Sequence, residues 1–423
     1  MVKGYAESGE KASERTRDMS PVHRFIGDEL ERIAREGAQR LLAEMLELEV
    51  SEFLQRARYQ RGEEHRGYRN GYAPERTIGV GLGAVSVRVP RVSDVPPEVA
   101  PNGFQSQIVR RYQRVSRTTQ RTLLRLYLEG LSSGDFEPVF RTILGETAPL
   151  SASSVSRLKA QWQAEYEVWA KRSLAEQRYL YVWVDGVYLE AGQEDEQTAL
   201  LVVLGLRADG KKELLGLGLG YRESTESWAT VLRDLRDRGM ERPVLVIGDG
   251  ALGIWAALRE VWPQSRRQRC WNHKICNVLD QLPKRLWGQI RTDLRQAIAS
   301  STRAGCRQRL EEIADALRAA GQDRAADTLL RDLDDFLTFY DFPKEHWVHL
   351  RTTNPIESIF AGVRLRTDVT KRLPNRENAR YLVFKVIERL SQNWMGITAG
   401  SLCRLVLEGH RFVDGVLAET VAA

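Results

Sequence analysis

YLYVWVDGVYLE, residues 179–190, is the stretch on which the fold turns. Its β-branched and aromatic residues read as a strand, and two further apolar runs follow, TALLVVLGLRA (198–208) and KKELLGLGLG (211–220). Three consecutive runs with short breaks suit antiparallel neighbours. The pattern then changes to a helix, SWATVLRDLRDRG (227–239), a strand, PVLVIGDG (243–250), a helix, ALGIWAALREVW (251–262), and a short strand, RQRCWNH (267–273). Three meandering strands followed by α-β-α-β predict an α/β domain.

That order matches the ribonuclease H-like sheet of many polynucleotidyl transferases, so the expected fold class is a ribonuclease H-like α/β domain. It places Asp185 in the first strand and Asp249 at the C-terminal end of the fourth, where α/β ligands bind. Structural roles compete. Asp185-Gly186 suits a two-residue hairpin turn, and Asp249-Gly250 suits a turn capping the next helix. A third acid lies in HLRTTNPIESIFAGVRLRTD (349–368). Asn354 suits the N-cap, Pro355 the first helical position and Glu357 the reciprocal partner of a capping box. Ile356, Phe360 and Val363 form an apolar stripe. Glu357 and Arg364 share the neighbouring face, although a capping acid and a solvated cation would look the same. Three carboxylates at one sheet edge repel unless hard cations lie among them, as in two-Mg²⁺ phosphodiester chemistry.

Asp249 and Glu357 are 108 positions apart, and the Leu-, Ala- and Arg-rich interval predicts an α-helical insertion over 283–350. The expected catalytic domain is therefore 177–282 with 351–400, and 401–423 is a tail. The chain has 423 residues and a net charge of +6. From Arg56 to Arg125 there are fourteen arginines, no lysine and five acids, a balance of +9 that leaves the remainder at −3. Arginine favours phosphate and guanine edges, so this segment reads as a nucleic-acid footprint. Four cysteines in a chain this long are no disulfide framework. No apolar run is long enough to span a membrane, and the polar start lacks a signal core, so a cytoplasmic protein is expected, nucleoid-associated when on DNA.

Upstream, Pro21–Arg58 reads as an amphipathic helix with Leu30, Ile33, Leu41, Met45 and Phe53 on its apolar stripe. GYRNGYAPER breaks the pattern, and Val85, Val87 and Val89 alternate in a short β unit ended by Pro90. With the proline-rich Ser93–Asn102, these make an N-terminal region over 1–102. Helical patterning returns over 103–176 in three pieces, opening at Arg110, Ser132 and Ser151. This suits a helix-turn-helix-like, mainly helical DNA-binding region, or a generic three-helix unit. Arg110, Arg111 and Arg114 in the first piece, and Ser151 and Arg157 at the tip of the third, are its candidate DNA contacts.

Taken together, YRNGY (68–72) with VRVPRV (87–92), LSSGDFEPVFRTILGE (131–146) with LSASSVSRL (150–158), VWVDGVYL (182–189), VIGDGALG (246–253), RCWNH (269–273) and TTNPIE (352–357) with RLRTD (364–368) carry a family resemblance. Over about residues 40–400 the chain resembles the mutator-type transposases of bacterial insertion sequences, which are DDE transposases. The resemblance implies a catalytic and metal-binding triad of Asp185, Asp249 and Glu357, holding two Mg²⁺ ions with Mn²⁺ as substitute. It also implies a supporting Cys-x-x-His pair, Cys270 and His273, and a basic residue at Arg364. Implied partners are terminal inverted-repeat DNA, target DNA and a second copy of the chain, in a homodimer or larger assembly. Gly250-Ala251-Leu252 departs from the family, which often has a histidine soon after the second aspartate, and the tryptophan of Cys-Trp-Asn-His is a variant. A nuclease without strand transfer, or a DNA-binding protein derived from a transposase, stays open. Cys276 extends the pair to Cys-x-x-His-x-x-Cys, but no fourth zinc ligand is close in sequence.

Overall fold

A five-stranded mixed sheet forms the centre of the larger part of the chain. Its strands are β5 (Tyr179–Glu190), β6 (Gln197–Arg207), β7 (Lys212–Gly220), β8 (Leu245–Gly248) and β9 (Arg266–Arg269), in the order β7-β6-β5-β8-β9. β5 pairs antiparallel with β6, and β6 with β7, whereas β5-β8 and β8-β9 are parallel. The computed structural model describes residues 21–128, 138, 139, 141, 152–190, 197–220, 224–250, 252–370 and 376–418. The chain divides into two compact units, 1–156 and 157–423.

In the second unit, apolar residues of both sheet faces explain the strand patterns. Val182, Val184, Leu201 and Val203 are buried with Trp228, Leu232 and Leu235 of helix Thr225–Asp237 and with Ile254 and Leu258 of helix Leu252–Val261. The glycines of GLGLG let the first of these helices approach β7. A Cβ on Gly218 would lie 2.4 Å from Val231 Cγ2. The edge strand β9 is short and arginine-rich, and the segment after residue 331 covers it. Gln268, fully buried, donates to the Phe336 carbonyl at 3.0 Å and accepts from Phe339 N at 2.8 Å. Arg269 pairs with Asp332 at 2.5 Å.

The interval 283–350 is helical, as its composition predicts, with long helices at Trp287–Ile298 and Arg303–Ala319 and shorter ones to residue 350. RQRCWNH is not one strand. β9 stops at Arg269, Cys270 is the N-cap, and Trp271–Leu279 is a helix. Asp185-Gly186 is no hairpin turn either, because both residues lie mid-strand, opposite Val202 and Leu201.

In the first unit, α1 (Pro21–Leu54) packs Leu46, Val50 and Leu54 inward, with Leu46 against Ile78, Val85 and Val87 of a small hairpin. Of the residues on the apolar stripe, Leu30, Ile33, Leu41 and Met45 are exposed, as is Leu48, while Phe53 is half-buried against Phe104. The hairpin pairs β2 (Arg76–Val80) with β3 (Gly83–Val87). YRNGY is itself a strand, β1 (Tyr68–Tyr72), because Gly71 takes φ +58° at an irregularity in its pairing with β4 (Pro90–Ser93). Pro90 thus begins a strand. The first helical piece starts at Arg117, not Arg110: Tyr112 is left-handed at φ +67°, and Ser116 caps the helix by accepting from Thr119 N at 3.1 Å. The second piece lies almost wholly outside the described residues, as does Ser151; the third is helical over Ala152–Ala170. Among the described residues no helix is long and apolar enough to cross a membrane.

Candidate active site

Parallel register brings the first two acids level. Trp183 pairs with Ile247, and Asp185 and Asp249 each lie two positions further along. On the other side of β8, Gly248 pairs with Arg269, so Cys270 falls one residue beyond that pair, beside Asp249. Cys270 N donates to Gly248 O at 2.7 Å, which fixes the start of the following helix at the sheet edge. Asp185 is 7% exposed, and its Oδ1 accepts from Gly186 N at 2.9 Å. Asp249 and Glu357 are half-buried.

The third acid arrives on helix α2 (Asn354–Thr370), whose entry is tied down from two sides. Trp183 Nε1 donates to His349 O at 3.0 Å, and Tyr181 Oη lies 2.8 Å from His346 Nδ1. Trp271 N donates to Arg351 O at 2.9 Å. Ile356, Phe360 and Val363 are buried, as their spacing predicts. The cap is one residue earlier than expected. Thr353, fully buried, accepts from Glu357 N at 3.0 Å through its carbonyl, while its hydroxyl donates to Glu357 Oε1 at 3.1 Å. Thr353 N also donates to Cys270 Sγ at 3.3 Å. Asn354 is occupied elsewhere, accepting from Asn272 Nδ2 at 2.7 Å.

Ligand atoms of Cys270, His273 and Glu357 lie within 4.8 Å of one another. His273 sits in the field of Asp185 and Asp249 too. Its imidazole is pushed up to about 9, chiefly by the adjacent Cys270 sulfur and further by the two aspartates, against the effect of burial. Glu357 is the acid that closes on this histidine, and the two aspartates act on it through their charge. Its Nδ1, shielded from solvent, has no hydrogen-bond partner among the described residues. Cys276 is exposed and outside this group, and His346 and His349 face Ala399 and Thr398. Arg364 is exposed on α2, two turns beyond Glu357. Arg110, Arg111 and Arg114 are exposed in the first unit, and Arg157 lies in helix Ala152–Ala170. Thr353 and Asn272 escape a reading by residue type, because threonine and asparagine beside a helix start look like caps; only the adjacency of TT to NPIE marks the former.

Two aspartates at a sheet edge, and a glutamate delivered by a helix across a long insertion, make up the candidate site. Residues 11–396 match the model of the Mutator family of transposases, and the chain belongs to that family. It is 47% identical over 294 residues, 70% of this chain and 91% of the relative, to the transposase for insertion sequence element IS6120 of Mycolicibacterium smegmatis. It is 41% identical to the transposase for IST2 of Acidithiobacillus ferrooxidans, over 65% of this chain and 94% of that one. Over 85% of its length it is 30% identical to the transposase for ISRM5 of Rhizobium meliloti (strain 1021), covering 88% of that protein.

Proposed function

We propose that this chain binds the terminal inverted repeats of its own insertion sequence and catalyses DNA cleavage and strand transfer, with Asp185, Asp249 and Glu357 as a DDE triad. The register that sets Asp185 level with Asp249, with Glu357 brought within 4.8 Å of the adjoining Cys270 and His273, carries the reading, since these acids come from positions 185, 249 and 357. The strand order supports a ribonuclease H-like assignment.

The residue types fit hard divalent cations: Asp185 and Asp249 lie level in register at one sheet edge, and Glu357 comes within 4.8 Å of His273, whose shielded Nδ1 has no partner among the described residues. Asp185, Asp249 and Glu357 would hold Mg²⁺, or Mn²⁺ in its place, two ions per site. When bound, the ions supply activation of the attacking oxygen and neutralisation of phosphate charge. The protein's residues do the rest. Thr353 orients the Glu357 carboxylate, His273 stands where it can orient an acid or contact phosphate, and Arg364 is placed to meet a flanking phosphate.

In cleavage, a water oxygen attacks phosphorus at the element's end and its proton leaves to solvent. The P–O3′ bond breaks, and the 3′ oxygen takes a proton. In transfer, that 3′-hydroxyl attacks a target phosphodiester and loses its proton, while the target's own P–O3′ bond breaks to leave a target 3′-hydroxyl.

The test is an assay on labelled DNA copied from the element's end, mixed with plasmid target and Mg²⁺. Joined product supports the reading. Cutting without joining would make the protein a nuclease, and end binding without cutting would make it a DNA-binding protein only.

A further inference from the structure

The surface of α1 that faces away from its hairpin is largely apolar for five turns, interrupted by the exposed Glu44. Leu30, Ile33, Leu41, Met45 and Leu48 lie along one face, each between 51% and 67% exposed. Polar residues normally occupy such a face on a helix whose other side is already buried. Its centre holds Gly37, where a Cβ would meet nothing within 4 Å. Glycine inside a helix costs about 0.5–1 kcal/mol relative to alanine, and neither φ nor crowding within the unit requires it here. A close approach by a second backbone would account for it.

The order of these positions indicates which backbone. Residues 30, 33, 37, 41, 45 and 48 are spaced 3, 4, 4, 4, 3, a sequence that reads the same in both directions. An antiparallel copy of the same helix therefore sets Leu30 opposite Leu48, Ile33 opposite Met45 and Gly37 opposite Leu41, each contact occurring twice, as a two-fold axis demands. The glycine accepts the facing leucine, the small-against-large pairing that lets helices interlock. Five side chains from each copy, at roughly 100 Å² apiece, cover about 1,000 Å², the area at which specific interfaces begin. Ion pairs within the helix, Arg32 with Glu29 and Glu36, hold charges that would otherwise need partners elsewhere.

We propose that this stripe is a homodimer interface, two α1 helices packed antiparallel about a two-fold axis between Gly37 and Leu41. The proposal goes beyond the DNA reading and does not depend on it. A dimer so joined carries two catalytic units, one for each DNA end.

The experiment uses the full chain without DNA, in a Cys276→Ser background to remove the exposed thiol. Sedimentation should give twice the chain mass, and Leu41→Glu should give the single-chain mass with an unchanged circular dichroism spectrum. Leu30→Cys combined with Leu48→Cys should form an intermolecular disulfide on mild oxidation. Leu30→Cys alone should not, because the two copies of residue 30 are about 27 Å apart along the antiparallel pair. A monomeric parent, a Leu41→Glu variant that stays dimeric, or ready crosslinking through Leu30→Cys alone would each overturn the proposal. None of these results bears on cleavage, so the DNA reading stands or falls separately.

Discussion

Thr353 joins the two halves of the site through single atoms. Its hydroxyl donates to Glu357, its amide to Cys270, and it is fully buried. It touches no reacting group and is a positioning residue. Thr353→Val keeps the shape but removes the donor, so cleavage should fall about 10–100-fold, the scale of losing a supporting contact behind a metal ligand, the role proposed for Glu357. Thr353→Ser should restore most of it. Equal loss in both variants would assign the residue to packing alone. Asp185→Asn keeps an oxygen for Gly186 N, so the fold should persist while cleavage drops by roughly 10²–10³ or more. Residual cutting near the parent level would move the first ligand elsewhere. Lys274 gives a separate test in solution. Burial pushes its ammonium down to about 7, although its Nζ donates to Arg331 O and lies over the Phe336 ring. Between pH 7 and about 10 the unfolded chain then holds more protons than the folded one. Stability from this group rises with pH across that window, by up to about 1.4 kcal/mol per unit, and falls as pH drops towards 7. Urea unfolding at several pH values should show a flatter slope in Lys274→Met than in the parent.

Elements show where the sequence could be read and where it could not. The strands of the sheet were legible because their apolar runs are long and bounded, and the helix after Thr353 because its stripe and proline agree. The junction at Cys270 was not. Four residues of strand and the first turn of a helix share too few positions for either period to declare itself. For α1 the pattern identified an apolar face, yet the helix has two, and periodicity cannot say which one the hairpin covers. At Arg110 the arginine-rich composition suited a helix, but Ser116 and the left-handed Tyr112 delay it to Arg117. Packing between the sheet and helix Thr225–Asp237 gives the prediction at this scale. Gly218→Ala should cost about 1–3 kcal/mol by driving a methyl into Val231. Pairing it with Val231→Ala should return part of that loss, with the double variant more stable than the two single costs added. Strict additivity in denaturation would show that the strand and helix have room to separate.

Across the whole molecule, charge separates what packing also separates. The +9 segment, Arg56–Arg125, lies within the first unit, and the carboxylates lie in the second. Arg110, Arg111 and Arg114 are exposed on irregular backbone, so their substitution should spare the fold. Replacing all three with glutamine should lower the slope of log affinity against log salt by about three units on DNA, with catalytic residues untouched. An unchanged slope in fluorescence anisotropy would locate the phosphate contacts elsewhere.

The insertion between β9 and α2 also sets a timetable. Synthesis proceeds from the N-terminus, so the arginine-rich unit and two of the three acids leave the ribosome well before Glu357 does. At about 5–20 residues per second, the 108 positions between Asp249 and Glu357 delay the last acid by roughly 5–20 s. On the proposed function, a nascent chain would engage DNA before it could cut any. A chain stopped inside the insertion should remain in that condition permanently, occupying ends without breaking them. Coexpression of such a truncated chain is expected to suppress transposition by the intact one.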